Sequence, residues 1–125
     1  MARVDIVRVD TPEGAAVRGG DPVMVSVTVG PDRGWFNDTE YLAIDFIHAD
    51  ASDIAEYLVV YEDDVTIEDT TTINFRVKAG STALTGEYYV KIENKSFGET
   101  LISDSGDGTI TVALNLVSSK RKYCD

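Results

Sequence analysis

The sequence predicts a seven-stranded antiparallel β-sandwich. Short apolar runs alternate with polar residues, turn-forming residues separate them about every 10 to 20 positions, and almost no stretch keeps a helical period. The runs are Val4–Val9, Val23–Val29, Tyr41–His48, Tyr57–Tyr61, Thr71–Val77, Tyr88–Glu93 and Ile110–Val117. Two sheets built from such strands bury one face of each and leave the other wet.

In the first strand, Val4 and Ile6 are followed by Val7 and Val9, so the apolar parity switches halfway. A bulge or kink that carries the strand from one sheet to the other accounts for the switch. Thr11-Pro12-Glu13-Gly14 reads as a turn, and Gly19-Gly20-Asp21-Pro22 punctuates before the second strand. There Val23, Val25, Val27 and Val29 share one face while Met24, Ser26 and Thr28 share the other. Gly30-Pro31-Asp32-Arg33-Gly34 ends that strand, and Trp35 to Thr39 continue the loop. The third strand turns Leu42, Ile44 and Phe46 inward; residues 49–56 suit one short helical turn before Tyr57–Tyr61. Val65 and Ile67 suggest a minor edge strand. Ile73, Phe75 and Val77 face inward next, then Tyr88, Val90 and Ile92, and finally Ile110, Val112, Leu114 and Leu116.

The chain has 125 residues, which predicts one domain over 1–117 and a basic tail over 118–125. Its net charge is −11, with 14 Asp, 8 Glu and only five Lys. Such a surface repels phosphate backbones and anionic headgroups, which argues against nucleic-acid and membrane-surface partners. Two sources of the acidity stand side by side: adaptation to high salt, as in halophilic proteins, and ordinary solubility. No apolar run approaches the roughly 18 residues of a membrane span, and the opening Met1-Ala-Arg-Val-Asp5 lacks the apolar run of a secretion signal. The protein is therefore either used without secretion or cut from a larger secreted one. Cys124 alone cannot form an internal disulfide.

Gly20-Asp21-Pro22-Val23 is followed by Val25-Ser26-Val27-Thr28-Val29, a "G-D-x-V-x-V-x-V" pattern, and Leu84-Thr85-Gly86-Glu87-Tyr88-Tyr89-Val90-Lys91-Ile92 has the form "L-x-x-G-x-Y-x-V-x-I". The first resembles the lead into the second strand, and the other the penultimate strand, of prokaryotic and archaeal immunoglobulin-like domains of the fibronectin-like or surface-layer-like branch. The resemblance implies an immunoglobulin-like sandwich in which Tyr88 is the corner tyrosine, its ring in the core and its hydroxyl on nearby backbone. The disulfide and third-strand tryptophan of antibody domains are absent.

No catalytic set emerges. His48, the only histidine, lies near Asp50, Ser52 and Asp53, but no nucleophile-elbow pattern surrounds a serine. No cofactor is implied; calcium is the one ion considered, at Asp104 and Asp107 in the Gly- and Asp-rich turn before the last strand. Trp35, Phe36 and Tyr41 compose an aromatic cluster suited to a sugar ring or a partner's apolar pocket, unless Trp35 folds back to cap the core. Tyr57 and Tyr61 line an outward stripe with Val59 near a sheet edge, where another chain's strand can add. Lys120, Arg121 and Lys122 contrast with residues 1–119, where 8 basic and 21 acidic residues give −13. That contrast suits a reach to a neighbouring copy. Asn37-Asp38-Thr39 and Asn94-Lys95-Ser96 match the N-glycosylation pattern.

The expected function is a non-catalytic structural module, a protein-binding subunit of a virion decoration, appendage or cell surface. The rival is a carbohydrate- or ligand-binding module of a cell-surface protein, with calcium assisting.

Overall fold

In the computed structural model, residues 4–32, 34–38, 42–50, 58–60, 65–81 and 83–114 are described. They form ten strand segments and no helix: β1 (Asp5–Asp10), β2 (Ala16–Val17), β3 (Val23–Gly30), β4 (Leu42–His48), β5 (Leu58–Val60), β6 (Thr66–Asp69), β7 (Thr72–Ala79), β8 (Gly86–Asn94), β9 (Glu99–Ile102) and β10 (Ile110–Ala113). One sheet runs β1-β3-β7-β5, with β6 also on β7; the other runs β2-β10-β8-β4, with β9 also on β8. Their inner faces share one apolar core that includes Val25, Val27, Phe46, Ile73, Phe75, Tyr88, Val90, Ile92 and Ile110. The all-β, two-sheet expectation holds. The count of seven does not: β2, β6 and β9 are additional segments, and of these only β6 lies where a minor edge strand was expected. None of the described helices, there being none, could cross a membrane.

The alternation of β3 translates directly into burial. Val25, Val27 and Val29 are buried while Met24, Ser26 and Thr28 are half-buried on the outer face. The parity switch in β1 is a bulge: Ile6 pairs with Val29, Arg8 with Thr28, and Val7 is squeezed out to 52% exposure. The bulge does not itself change sheets. The crossing follows the Thr11–Gly14 turn, where Gly14 N–H donates to Thr11 O and Gly14 takes φ +88°. Beyond it β2 joins the opposite sheet, pairing in parallel with β10 (Ala16 with Val112). Met24 lies beyond the stretch of β3 that β1 pairs, and its N–H donates to the Glu13 carboxylate at 3.0 Å.

β4 and β8 pair without a register shift from Leu42–Asn94 to His48–Tyr88. At the His48 end, the ring packs edge-on to Tyr88 with centroids 4.9 Å apart. His48 Nδ1 accepts from Asp50 N–H (3.1 Å), which places the ring proton on Nε2, donating to Thr85 O (2.8 Å). Gly86, at φ +122°, leaves room for this ring; a β-carbon there would stand 2.9 Å from His48 Nε2. Tyr88 is 1% exposed, and its hydroxyl donates to Leu84 O, four residues upstream. Burial raises the Tyr88 pKa from its ordinary value, opposed in part by the Arg18 charge.

β9, like β2, falls where no strand was expected: it follows β8 in a tight hairpin, so the Asp104–Gly108 stretch does not join two strands paired with each other. It is a loop between β9 and β10, both of which lie along the same flank of β8. Ser103 holds the join, its N–H donating to Val90 O and its hydroxyl accepting from Val90 N–H. The last strand ends at Ala113, and Leu114, expected inward, is 53% exposed. Leu116 lies outside the described residues.

Candidate binding surface at the three-loop end

Three connections meet at one end of the two sheets: the β3–β4 loop, the β6–β7 turn and the β8–β9 hairpin. They come together because β3 and β8 both run toward that end, while β4 and β7 start from it. The β3–β4 loop crosses between the sheets and buries its aromatic pair. Trp35 and Phe36 are each 1% exposed and pack edge-on, centroids 5.3 Å apart.

Side-chain bonds join the three connections. Trp35 Nε1–H donates to Glu99 Oε1 (2.9 Å), and buried Asn94 donates through Nδ2 to Trp35 O (2.6 Å). These tie the loop to the β8–β9 hairpin. Phe36 N–H donates to Thr70 O (3.3 Å), and the Thr70 hydroxyl donates to Asp32 Oδ1 (2.8 Å), which also accepts from Gly34 N–H (3.1 Å). These tie it to the β6–β7 turn. Each bond contributes about 1 kcal/mol net, and together they fix the relative positions of three loops.

The reading of Trp35 and Phe36 as an exposed contact is therefore corrected: their rings are the platform beneath the surface, and the core-capping alternative holds. What this end displays is Phe97, 46% exposed at the tip of the β8–β9 hairpin. Exposed Lys95, Asp32 and Asp69 lie on the same three connections. Sequence reasoning missed Phe97. The available signal was an aromatic in Asn94-Lys95-Ser96-Phe97-Gly98, a turn-forming run in which Gly98 takes φ +64°.

Asp69 accepts from Thr71 through both its N–H and its hydroxyl, each at 2.8 Å. The backbone bond, then the hydroxyl bond, lowers its pKa below the ordinary 3.8. A carboxyl with a depressed folded pKa contributes above the ordinary Asp range, and the contribution is lost as pH falls through the depressed value. The Thr71 amide proton is accordingly expected to titrate by NMR with a midpoint below 3.8. A midpoint at or above that value contradicts the bonded geometry.

The other candidate residues fall elsewhere. Asp104 and Asp107 bind each other's loop: Asp104 Oδ1 accepts from Gly106 N–H (2.8 Å) and Asp107 N–H (3.2 Å), and Asp107 Oδ2 from Asp104 N–H (3.0 Å). Among the described residues no group of three His, Cys, Asp or Glu side chains is placed to hold a metal ion. Tyr41, Tyr57, Tyr61, Lys120, Arg121 and Lys122 lie outside the described residues, as does the helical turn expected beyond Asp50. Asn94, expected in a loop as a glycosylation acceptor, is instead fully buried at the end of β8. Its Oδ1 accepts from Ser96 N–H (2.9 Å) while its Nδ2 holds Trp35, so the folded chain offers no acceptor amide there. Asn37 is exposed. No protein-family model matches the chain, and no curated protein is significantly similar to it.

Proposed function

We propose that this chain is a non-catalytic, immunoglobulin-like assembly module that contacts other protein subunits through its three-loop end. The observation that carries the reading is Phe97, an exposed aromatic between β8 and β9 at an end whose loops are bonded together. A single exposed aromatic side chain suits insertion into a pocket of a protein partner. A sugar ring is better met by an open aromatic platform, and Trp35 and Phe36 are not available for one. The glycan reading is thereby weakened, and calcium assistance at Asp104 and Asp107 loses its motive.

The seven-strand immunoglobulin-like scaffold is supported by merging the divided strands. β5 and β6 follow each other along one flank of β7 (Val60 with Val77, Thr66 with Asn74), as β9 and β10 do along β8. β1 and β2 divide one strand between two sheets. Ten segments thus become seven strands. The Tyr88 hydroxyl on Leu84 O has the form of the corner tyrosine of such sandwiches. A structural subunit of a virion or cell surface fits a module of this kind, and the basic run Lys120–Lys122 supplies charge opposite to the rest of the chain.

Light scattering after size exclusion tests the reading, at low salt and in about 1 M KCl, where screening shortens to about 3 Å. Particles heavier than two chains are expected, strengthened by salt because each copy carries −11. Phe97→Ser is expected to limit them to two chains or fewer. If Phe97→Ser matches the wild type at both salts, the three-loop end is not the contact.

A further inference from the structure

A sheet edge exposes unpaired backbone donors and acceptors, and folded proteins interrupt such edges to prevent pairing with another chain. Three of the four edges here are interrupted. β1 bulges at Val7. The β5–β6 edge is broken between Val60 and Thr66 and shifts register again between Ile67 and Asp69. The β2–β9 edge consists of two residues and four residues, separated by the 103–109 loop, whose Asp107 O accepts from Val9 N–H of β1 (2.7 Å). The fourth edge, β4, runs seven residues in regular register with β8, and no described strand lies on its other side. It contains no proline, no lysine and no bulge.

We propose that β4 of one copy pairs antiparallel with β4 of a second copy, about a two-fold axis at Ile44. Charge and burial select both the occupant and the register. An Asp45-centred register sets two like carboxylates face to face, which is unfavourable. A Phe46-centred register opposes each Asp45 to Ile47 of the other copy. With the axis at Ile44, Asp45 stands opposite Ala43 of the second copy and keeps its own cross-strand Lys91 on the other flank. On the inner side, Leu42 then meets Phe46 of the second copy. Leu42 and Ile44 point toward the core but stay half-buried at this edge, whereas Ile92, opposite Ile44, is fully buried. A second β4 supplies the missing cover. Because the contact is isologous, it closes: each copy removes the other's uninterrupted edge and creates none.

One strand pair is a small interface, so the pair belongs to the weak class and forms with concentration. The contact is centred on Ile44 and does not use Phe97, and it stands or falls independently of the function proposed above. The test is a light-scattering series from about 10 μM to about 1 mM in about 1 M KCl, run in the Phe97→Ser background. Mass is expected to rise from 13.6 kDa toward twice that value. Ala43→Lys is expected to shift the rise to lower concentration, since each lysine then stands opposite Asp45 of the second copy as an opposite-charge cross-strand pair. Within its own copy the substitution places its charge opposite Glu93, which keeps the domain folded. Thr100→Lys is the matched control: it faces the same Glu93 from β9 and is expected to leave the rise intact. Hydrogen exchange on the wild-type background gives a variant-free measure, with β4 amides expected to slow as concentration rises. A mass fixed at 13.6 kDa, or equal effects of the two lysines, overturns the proposal.

Discussion

Trp35→Ala is expected to cost about 3–5 kcal/mol, the range for removing a fully buried aromatic side chain. The whole stability of a single domain is about 5–15 kcal/mol, so the variant sits near the limit of folding. The loss has three parts: the volume vacated beside Phe36, the bond from Nε1 to Glu99, and the support that both rings give to the β3–β4 loop. Trp35→Phe retains most of the apolar volume and forfeits the indole bond, so its loss is expected to be smaller. Urea denaturation followed by circular dichroism separates the two, since Trp35 is the only tryptophan and fluorescence vanishes with it. An unchanged midpoint for Trp35→Ala would mean that the ring is not buried, and would restore it as a surface contact.

Gly108→Ala is the second large effect. Gly108 takes φ +109°, and a β-carbon there would stand 2.4 Å from Val9 O, an overlap with backbone that no rotamer relieves. The conformation alone costs a residue with a β-carbon about 1–3 kcal/mol, and the overlap adds to that. Because Val9 N–H donates to Asp107 O, the displacement also detaches the end of β1 from the loop that divides β9 and β10. Gly14→Ala is the comparison: its φ is +88°, but nothing lies within 4 Å of the added carbon. Thermal unfolding of the two variants isolates the overlap as the difference between them. Equal losses would show that Val9 yields without cost.

The strands were legible where one face meets the core over several residues. Val23 to Val29 announce both their strand and its orientation, and the broken parity of Val4, Ile6, Val7 and Val9 announces the bulge at Val7. Tyr88 was placed with its hydroxyl bond, through a resemblance rather than a period. Periodicity says nothing about an irregular segment, so the burial of Trp35 and Phe36 depends on Thr70, Asn94 and Glu99, distant in sequence and unmarked by any pattern. The turn at Asp104–Gly108 is legible from its Gly and Asp residues, but its place between β9 and β10 is not, because the same residues serve any kind of turn. Phe97 was overlooked for the related reason that one aromatic in a turn carries no repeat.

The placement of β2 sets an order in time. Ala16 has its strand partner in Val112, so the second segment to be made waits for the last described strand before it can pair. At ordinary synthesis rates of about 5–20 residues per second, that wait is about 5–20 s on the ribosome. Until then neither Ala16 nor the flank of β8 from Gly86 to Tyr88 has its strand partner, and the sheet that holds β4 stays unfinished. The domain therefore closes as synthesis of residues 4–114 ends, from both ends of the chain at once.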